Sequence, residues 1–435
     1  MKIAIITAGG AGMFCGSCMQ DNTLARSLRL AGHDAVLVPT YTPIRVDEEN
    51  VSTRRVFLGG INVYLDSLLP GWGRLPGWMI HWLNRPSILR QLTRRAGSTD
   101  ASKLGPLTLD MLAGSHGPQH REIDELVSYL CGELQPDMIL FSNALLSGVL
   151  SALRPKFSGR ILCLFQGDDI FLDALSDRWK RDAIALIGSN CIAFDGFLTH
   201  SLYYRNHMSD YLSLDVDRFR TIPLSIDTDE AFLSELRERR IGATDTSRFT
   251  IGYFARICPE KGVHRLLQAA ERLLPSMPGV QVLIAGYLGE LQKSWFQTLL
   301  QRAQTKAGAD RIQWLGSPST RQQKFEILSM MDVLCVPTVY REPKGLYVLE
   351  AGLLGIPAVV PEHGAFPELI ARLGHGTLVS DDDPSSLEKA LRAASDTMSA
   401  SAGRELPQVL ATAVESHFGL QSTASVLSDT LLSLN

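Results

Sequence analysis

The stretch Arg341-Glu342-Pro343-Lys344-Gly345-Leu346-Tyr347-Val348-Leu349-Glu350-Ala351-Gly352 sets one acid beside a glycine loop and a second eight positions later, inside an apolar helical pattern. Gly345 lets a backbone approach a ligand closely where that helix should start. Free N–H groups at the positive end of a helix dipole suit a diphosphate. Glu350 falls about one turn into the helix, and an ionised carboxylate accepts two hydroxyl hydrogen bonds, as the 2′ and 3′ hydroxyls of a ribose require. Burying a Glu without a partner is costly, so the alternative to a ligand is a partner within the protein. A second stretch, Ala255-Arg256-Ile257-Cys258-Pro259-Glu260-Lys261-Gly262, follows the strand-like run Thr250 to Phe254, with Pro259 suited to a first helical position. Arg256 and Lys261 there can converge on one anion. Fixed cations stabilise the charge growing on a leaving diphosphate more than they stabilise the ground state. Alone, such a pair is ordinary surface charge; beside the two acids it reads as an anion site.

Positioning these groups needs strands that end in loops. Short β-type runs alternate with helical periodicity along the whole chain, the pattern of parallel sheets with helices on both faces. The runs are Ile3 to Ile6, Ala35 to Val38, Met138 to Phe141, Ile161 to Phe165 and Phe197 to Thr199, then Thr250 to Phe254, Val282 to Ala285, Ile312 to Leu315, Val333 to Val336 and Ala358 to Val360. Helices are expected at Leu24 to Leu30, around Ile123 to Leu130 and over Val263 to Leu274. The predicted organisation is a first domain over 1–225, a linker over 226–248, a second domain over 249–415 and a carboxyl-terminal helix over 416–435 that packs back on the first domain. The fold class is α/β, two Rossmann-like domains facing a cleft. Ligands in such sheets sit beyond the carboxyl ends of the strands, where both motifs fall.

The chain has 435 residues, 42 Lys+Arg against 46 Asp+Glu, and 45% hydrophobic residues. This excludes a disordered chain or a small disulfide scaffold and gives no general attraction to nucleic acid. Seven cysteines, of which only Cys15 and Cys18 lie close together, read as reduced thiols. The apolar start breaks at Gly9-Gly10 and no run reaches about 18 apolar residues, so a cytoplasmic protein is expected. One region departs from the alternation. Leu58 to Lys103 holds Trp72, Trp78 and Trp82 followed by Arg85, Arg90, Arg94 and Arg95. It reads as an insertion forming a subdomain or a contact between copies; a peripheral contact of the 72–95 region with an anionic inner membrane face is the other reading. Oligomeric state is not encoded in any spacing. Cys15-Gly16-Ser17-Cys18 lacks the further ligands that zinc needs, so no metal is expected, and these residues read as a tight turn. His33 and His363 have no partner of recognisable spacing and are expected to be structural or superficial.

The two motifs resemble those of the retaining glycosyltransferases of family 4, which have the GT-B fold and use nucleotide-activated sugars. The likeness extends over most of the chain. Gly9-Gly10 and the loop after it, with Gly12, look like the family's amino-terminal glycine turn, and Ile222-Pro223-Leu224-Ser225-Ile226-Asp227 like its entry to the interdomain linker. Gly364-Ala365-Phe366-Pro367-Glu368 is similar to its Gly-Gly-x-Pro-Glu loop. Gly59-Gly60-Ile61-Asn62-Val63-Tyr64-Leu65 resembles the first domain of the glycogen and starch synthase branch. The resemblance implies that Arg256 and Lys261 hold the diphosphate, Glu350 the ribose, and Glu342 the donor sugar or its phosphate region. It places Lys344, Gly345, Leu346, Gly10 and Gly12 on the donor. It implies no cofactor beyond the donor itself, a UDP-sugar in the first instance, and a carbohydrate or other hydroxyl acceptor. The family often has a His where Gln166 stands; Gln can hydrogen-bond a sugar but cannot titrate. In the family's usual mechanism the donor phosphate takes the acceptor proton on the same face, so no protein nucleophile is needed. Asp168 and Asp169 are expected either to position an acceptor hydroxyl or to be solvated loop acids.

Three other functions fit parts of the pattern. A non-catalytic nucleotide-sugar-binding protein is favoured by Gln166, and an epimerase of the same architecture differs only in product. An NAD-dependent oxidoreductase is disfavoured: the second strand ends at Val38-Pro39-Thr40-Tyr41 without an acid for the ribose, and the glycine loop does not spell G-x-G-x-x-G.

Overall fold

The computed structural model describes residues 1–9, 15–58, 104–242, 248–381, 383, 385–399 and 406–434. Gly10, Gly12 and all but Leu58 of the Trp- and Arg-rich insertion, including its 72–95 region, lie outside the described residues. The chain forms two compact units, Met1–Ser225 with Thr423–Asn435, and Ile226–Ser422. Residues 226–248, expected as a linker, carry the helix Ala231–Gly242 and count with the second unit.

The first unit holds strands β1 (Lys2–Thr7), β2 (Asp34–Pro39), β3 (Met138–Phe141), β4 (Arg160–Leu164), β5 (Gly196–Thr199) and β6 (Phe219–Thr221), in the order β2-β1-β3-β4-β5-β6. The second holds β7 (Phe249–Phe254), β8 (Val280–Ala285), β9 (Ile312–Trp314), β10 (Val333–Cys335), β11 (Ala358–Pro361) and β12 (Thr377–Val379), in the order β12-β11-β10-β7-β8-β9. Every pairing is parallel, for example Ile5 with Leu37 and with Leu140, and Tyr253 with Ile284. Parallel strands buried on both faces read as unbroken apolar runs, which is why Ile3–Ile6 and Val333–Cys335 stand out without alternation. Pro39 closes β2 as the last residue of the strand, paired with Thr7. Of the three-residue edge strands, β6 and β12 have no apolar run of their own.

Chain direction fixes where a ligand can sit. From β7 the chain runs to β8 on one side, and from β10 to β11 on the other, so the loops after β7 and β10 diverge and leave a crevice. In the first unit the same reversal falls between β1 and β3. Helix Leu420–Leu432 brings Leu427 and Leu431 into the core formed by Ile3, Leu24, Leu140, Leu162 and Leu198.

Candidate functional site

The β7 and β10 loops are held together by their backbones. The Val339 N–H donates to the Glu260 carbonyl at 2.8 Å. After the turn Pro259–Lys261, Gly262 adopts φ +74° and starts the helix Val263–Leu273. A Cβ there would stand 1.7 Å from the Pro337 carbonyl oxygen, so only glycine permits this approach. Gly345, at φ +79°, plays the equivalent part at the start of the helix Leu346–Leu353.

The loops converge on one carboxylate. Lys261 Nζ lies 2.6 Å from Glu342 Oε2 and 2.6 Å from the Tyr340 hydroxyl. Tyr340 donates to the same Oε2 at 2.8 Å and Tyr347 at 3.0 Å. Among the described residues Oε1 accepts no hydrogen bond. Burial raises the pKa of Glu342, but the Lys261 charge and the three donors outweigh it, and the acid sits below its ordinary value and stays ionised. Burial and Glu342 push both phenols well above theirs, so each remains a donor. Lys261 also lies 4.9 Å from the Tyr340 ring centroid and 5.1 Å from that of Tyr347, which fixes the ammonium from two sides. Arg256 is exposed, beside Cys258 and within electrostatic range of Tyr340.

Glu350 is buried in the helix Leu346–Leu353, and its Oε1 lies 2.6 Å from Nζ of Lys324, itself buried on the helix Arg321–Ser329. The second acid thus has a protein partner that its own neighbourhood in sequence does not reveal. Lys344 is buried and Leu346 half-buried. Lys324, Tyr340 and Tyr347 are site residues that spacing did not single out. Both tyrosines lie within or beside the Glu342 motif, so their closeness to it was a usable signal; Lys324 had none.

In the first unit, groups at the carboxyl ends of the strands join a buried hydrogen-bonded network with the helix Gly16–Leu30. Thr7 Oγ donates to Asp21 Oδ2 at 2.6 Å, and Gln166 Nε2 donates to Asp21 Oδ1 at 2.6 Å, all three side chains being buried. Asp168 departs from one of the two expectations: it is buried rather than solvated. Its oxygens take the backbone N–H of Ala144 at 2.6 Å and of Gln166 at 3.0 Å, tying the β3 and β4 loops together. Burial pushes its carboxyl up to about 6 against the lowering effect of those two donors. Asp169 is buried as well, accepting from Tyr204 at 2.6 Å and lying 2.9 Å from His207 Nε2. His33 Nε2 lies 2.8 Å from Ser428 Oγ, and the buried His363 Nε2 lies 3.1 Å from Asp381 Oδ2. Among the described residues no group of three or more His, Cys, Asp or Glu is placed to hold a metal, and no helix is long and apolar enough to cross a membrane.

A second unit whose switch-point loops carry a paired lysine and glutamate invites comparison with known proteins. Residues 234–402 match the family model for glycosyl transferases group 1. The matched segment lies wholly within the second unit and contains Arg256, Lys261, Lys324, Glu342 and Glu350. The alpha-maltose-1-phosphate synthase of Mycolicibacterium smegmatis is 30% identical over 182 residues, 40% of this chain and 44% of the relative. The D-inositol 3-phosphate glycosyltransferase of the same organism is 32% identical over 145 residues, 33% of this chain and 32% of the relative. The chain therefore spans less than half the length of these curated relatives. The crystal structure of Anabaena HepE in complex with UDP superimposes with a TM-score of 0.67, covering 100% of both chains at 16% identity, a likeness of fold. The α/β class with two Rossmann-like units is thus common to both.

Proposed function

We propose that the protein is a glycosyltransferase that moves a sugar from a nucleotide diphosphate sugar to a hydroxyl acceptor with retention of anomeric configuration. The observation that carries this reading is the convergence of Lys261, Tyr340 and Tyr347 on Glu342 Oε2 in the crevice between the β7 and β10 loops. Three donors on one oxygen pin the carboxylate and leave Oε1 to accept from a hydroxyl of the donor sugar. Lys261, neutralised by Glu342 at rest, has further N–H capacity for a phosphate oxygen, and the exposed Arg256 supplies the second cation. As the glycosidic bond lengthens, negative charge collects on the leaving diphosphate, and both cations gain interaction energy. That phosphate takes the acceptor proton, so Gln166, which cannot titrate, is no obstacle. Glu350, oriented by Lys324, takes the ribose hydroxyls, and the first unit is assigned the acceptor. The UDP-bound state of HepE supports a uridine nucleotide as the first donor to try.

A thermal-shift panel of UDP, GDP, ADP and their sugars tests this, since a ligand bound only by the folded state raises its stability. One nucleotide family should stabilise the chain by several degrees, and Lys261→Ala should lose that shift while keeping its own unfolding transition cooperative. A flat panel, or an unchanged shift in the variant, removes the assignment.

A further inference from the structure

Cys15 and Cys18 take no part in the proposed transfer. Cys15 is the residue before the helix Gly16–Leu30, with extended backbone at φ −111° and ψ 124°, and Cys18 is the third residue of the helix. The two side chains share a hydrogen bond, and neither is in a disulfide. Their exposure differs: Cys15 is half-buried and Cys18 buried. Cys15 stands at the helix start, at the positive end of its dipole. The hydrogen bond to Cys15 and burial hold the Cys18 thiol well above the ordinary value and therefore protonated. One reachable nucleophile backed by one sheltered thiol in the same helical turn is the arrangement that lets a mixed disulfide resolve internally.

We propose that Cys15 and Cys18 are a redox-modification site, a dithiol that a low-molecular-weight disulfide converts reversibly to an intramolecular disulfide. Cys15 thiolate attacks one sulfur of the oxidant, forming a mixed disulfide and releasing one thiolate. Cys18 gives its proton to a released thiolate and attacks Cys15 Sγ, expelling the second. Two protein thiols are oxidised and one disulfide is reduced to two thiols. The change reaches the strand ends, because Cys18 lies against Thr7, whose hydroxyl holds Asp21, which in turn holds Gln166. A bond from Cys18 Sγ to Cys15 changes the group that this threonine meets.

The test uses the full chain equilibrated in glutathione and glutathione disulfide at graded ratios, quenched in acid, alkylated and mapped by peptide mass. A Cys15–Cys18 linkage is expected, two hydrogen atoms lighter and reversed by dithiothreitol, with the five other cysteines alkylated. Phenylarsine oxide, which bridges close thiols, should bind the reduced chain at one equivalent and fail to bind Cys15→Ser or Cys18→Ser. Amide exchange in residues 1–9 and 142–168 should differ between the two forms. Free thiols at the most oxidising ratio, or a glutathione adduct that stops at Cys15, overturns the site; unchanged exchange overturns its coupling to Thr7. None of these readouts involves a nucleotide sugar, so the outcome is independent of the transferase reading.

Discussion

Lys324 and Glu350 are both buried, and their 2.6 Å pair governs what substitution does. Removing one partner takes the close counter-charge from a buried group, which costs about 3–5 kcal/mol, whereas a packed apolar pair of similar volume can be nearly neutral. Lys324→Ala and Glu350→Ala should each lower urea-unfolding stability by that amount, and the double variant Lys324→Met/Glu350→Leu should recover most of it. If Glu350 also serves the ribose, the recovered fold should still bind nucleotide at least tenfold more weakly by calorimetry. Full binding in the double variant would reduce the pair to a structural one. Asp168 yields a pH prediction. Its folded pKa of about 6 lies above the ordinary carboxyl value of 3.8, so the folded state binds the proton more tightly and stability falls as pH rises between the two. Roughly two units correspond to about 3 kcal/mol. The cost of Asp168→Asn, which does not titrate, should therefore be largest near pH 4 and shrink by about that amount once pH passes 6. A cost independent of pH would contradict the burial argument.

The β7 and β10 loops meet because Gly262 has no Cβ. Gly262→Ala sets a methyl group against the Pro337 carbonyl and forces an L residue into the left-handed region. The left-handed conformation and the overpacking together cost about 2–5 kcal/mol, with relief available only by parting the loops. Nucleotide-induced stabilisation should disappear in this variant even where unfolding stays cooperative; an intact thermal shift would mean that the loop contact does not shape the site. This dependence also explains what the sequence disclosed. Nine of the strands announced themselves as apolar runs because a parallel strand largely buried in the sheet has little polar side to hide them, and the edge strand Ile312–Trp314 showed through Ile312, Trp314 and the following Leu315 despite its exposed Gln313. Phe219–Thr221 and Thr377–Val379, at the sheet edges and three residues long, carry Arg220 and Thr377 on exposed positions and gave no such run. The Lys261–Glu342 pair was legible because both residues sit within local motifs, next to the loops that carry them. Lys324 was not, since it reaches Glu350 from a helix 26 residues away in sequence, a proximity only the fold creates. The burial of Asp168 was not legible either: one of its partners, the Ala144 N–H, is brought to it from 24 residues away by strand order.

The chain passes into the second unit at Ile226 and returns to the first at Thr423, so the last thirteen residues stabilise a unit from which they are separated by almost two hundred positions. Leu427 and Leu431 are 1% and 0% exposed within the first unit's core. Ser225 and Thr423 share a 2.7 Å hydroxyl hydrogen bond beside the two crossing points, and His33 meets Ser428 at 2.8 Å. Burying a Leu side chain is worth about 1.5–3 kcal/mol, so deleting 423–435 should cost the first unit about 3–6 kcal/mol before the hydrogen bonds are counted. The second unit keeps its own core, including the contact of Ile226 with Gly419, and should be spared. Hydrogen exchange followed by mass spectrometry separates the two effects. Amides of β1 to β5 should lose protection in the truncated chain while those of β7, β8 and β10 keep theirs, and the nucleotide-induced shift of the second unit should persist. Equal loss of protection in both sheets would mean that the segment stabilises the molecule as one cooperative body, and the assignment of residues 423–435 to the first unit alone would fail.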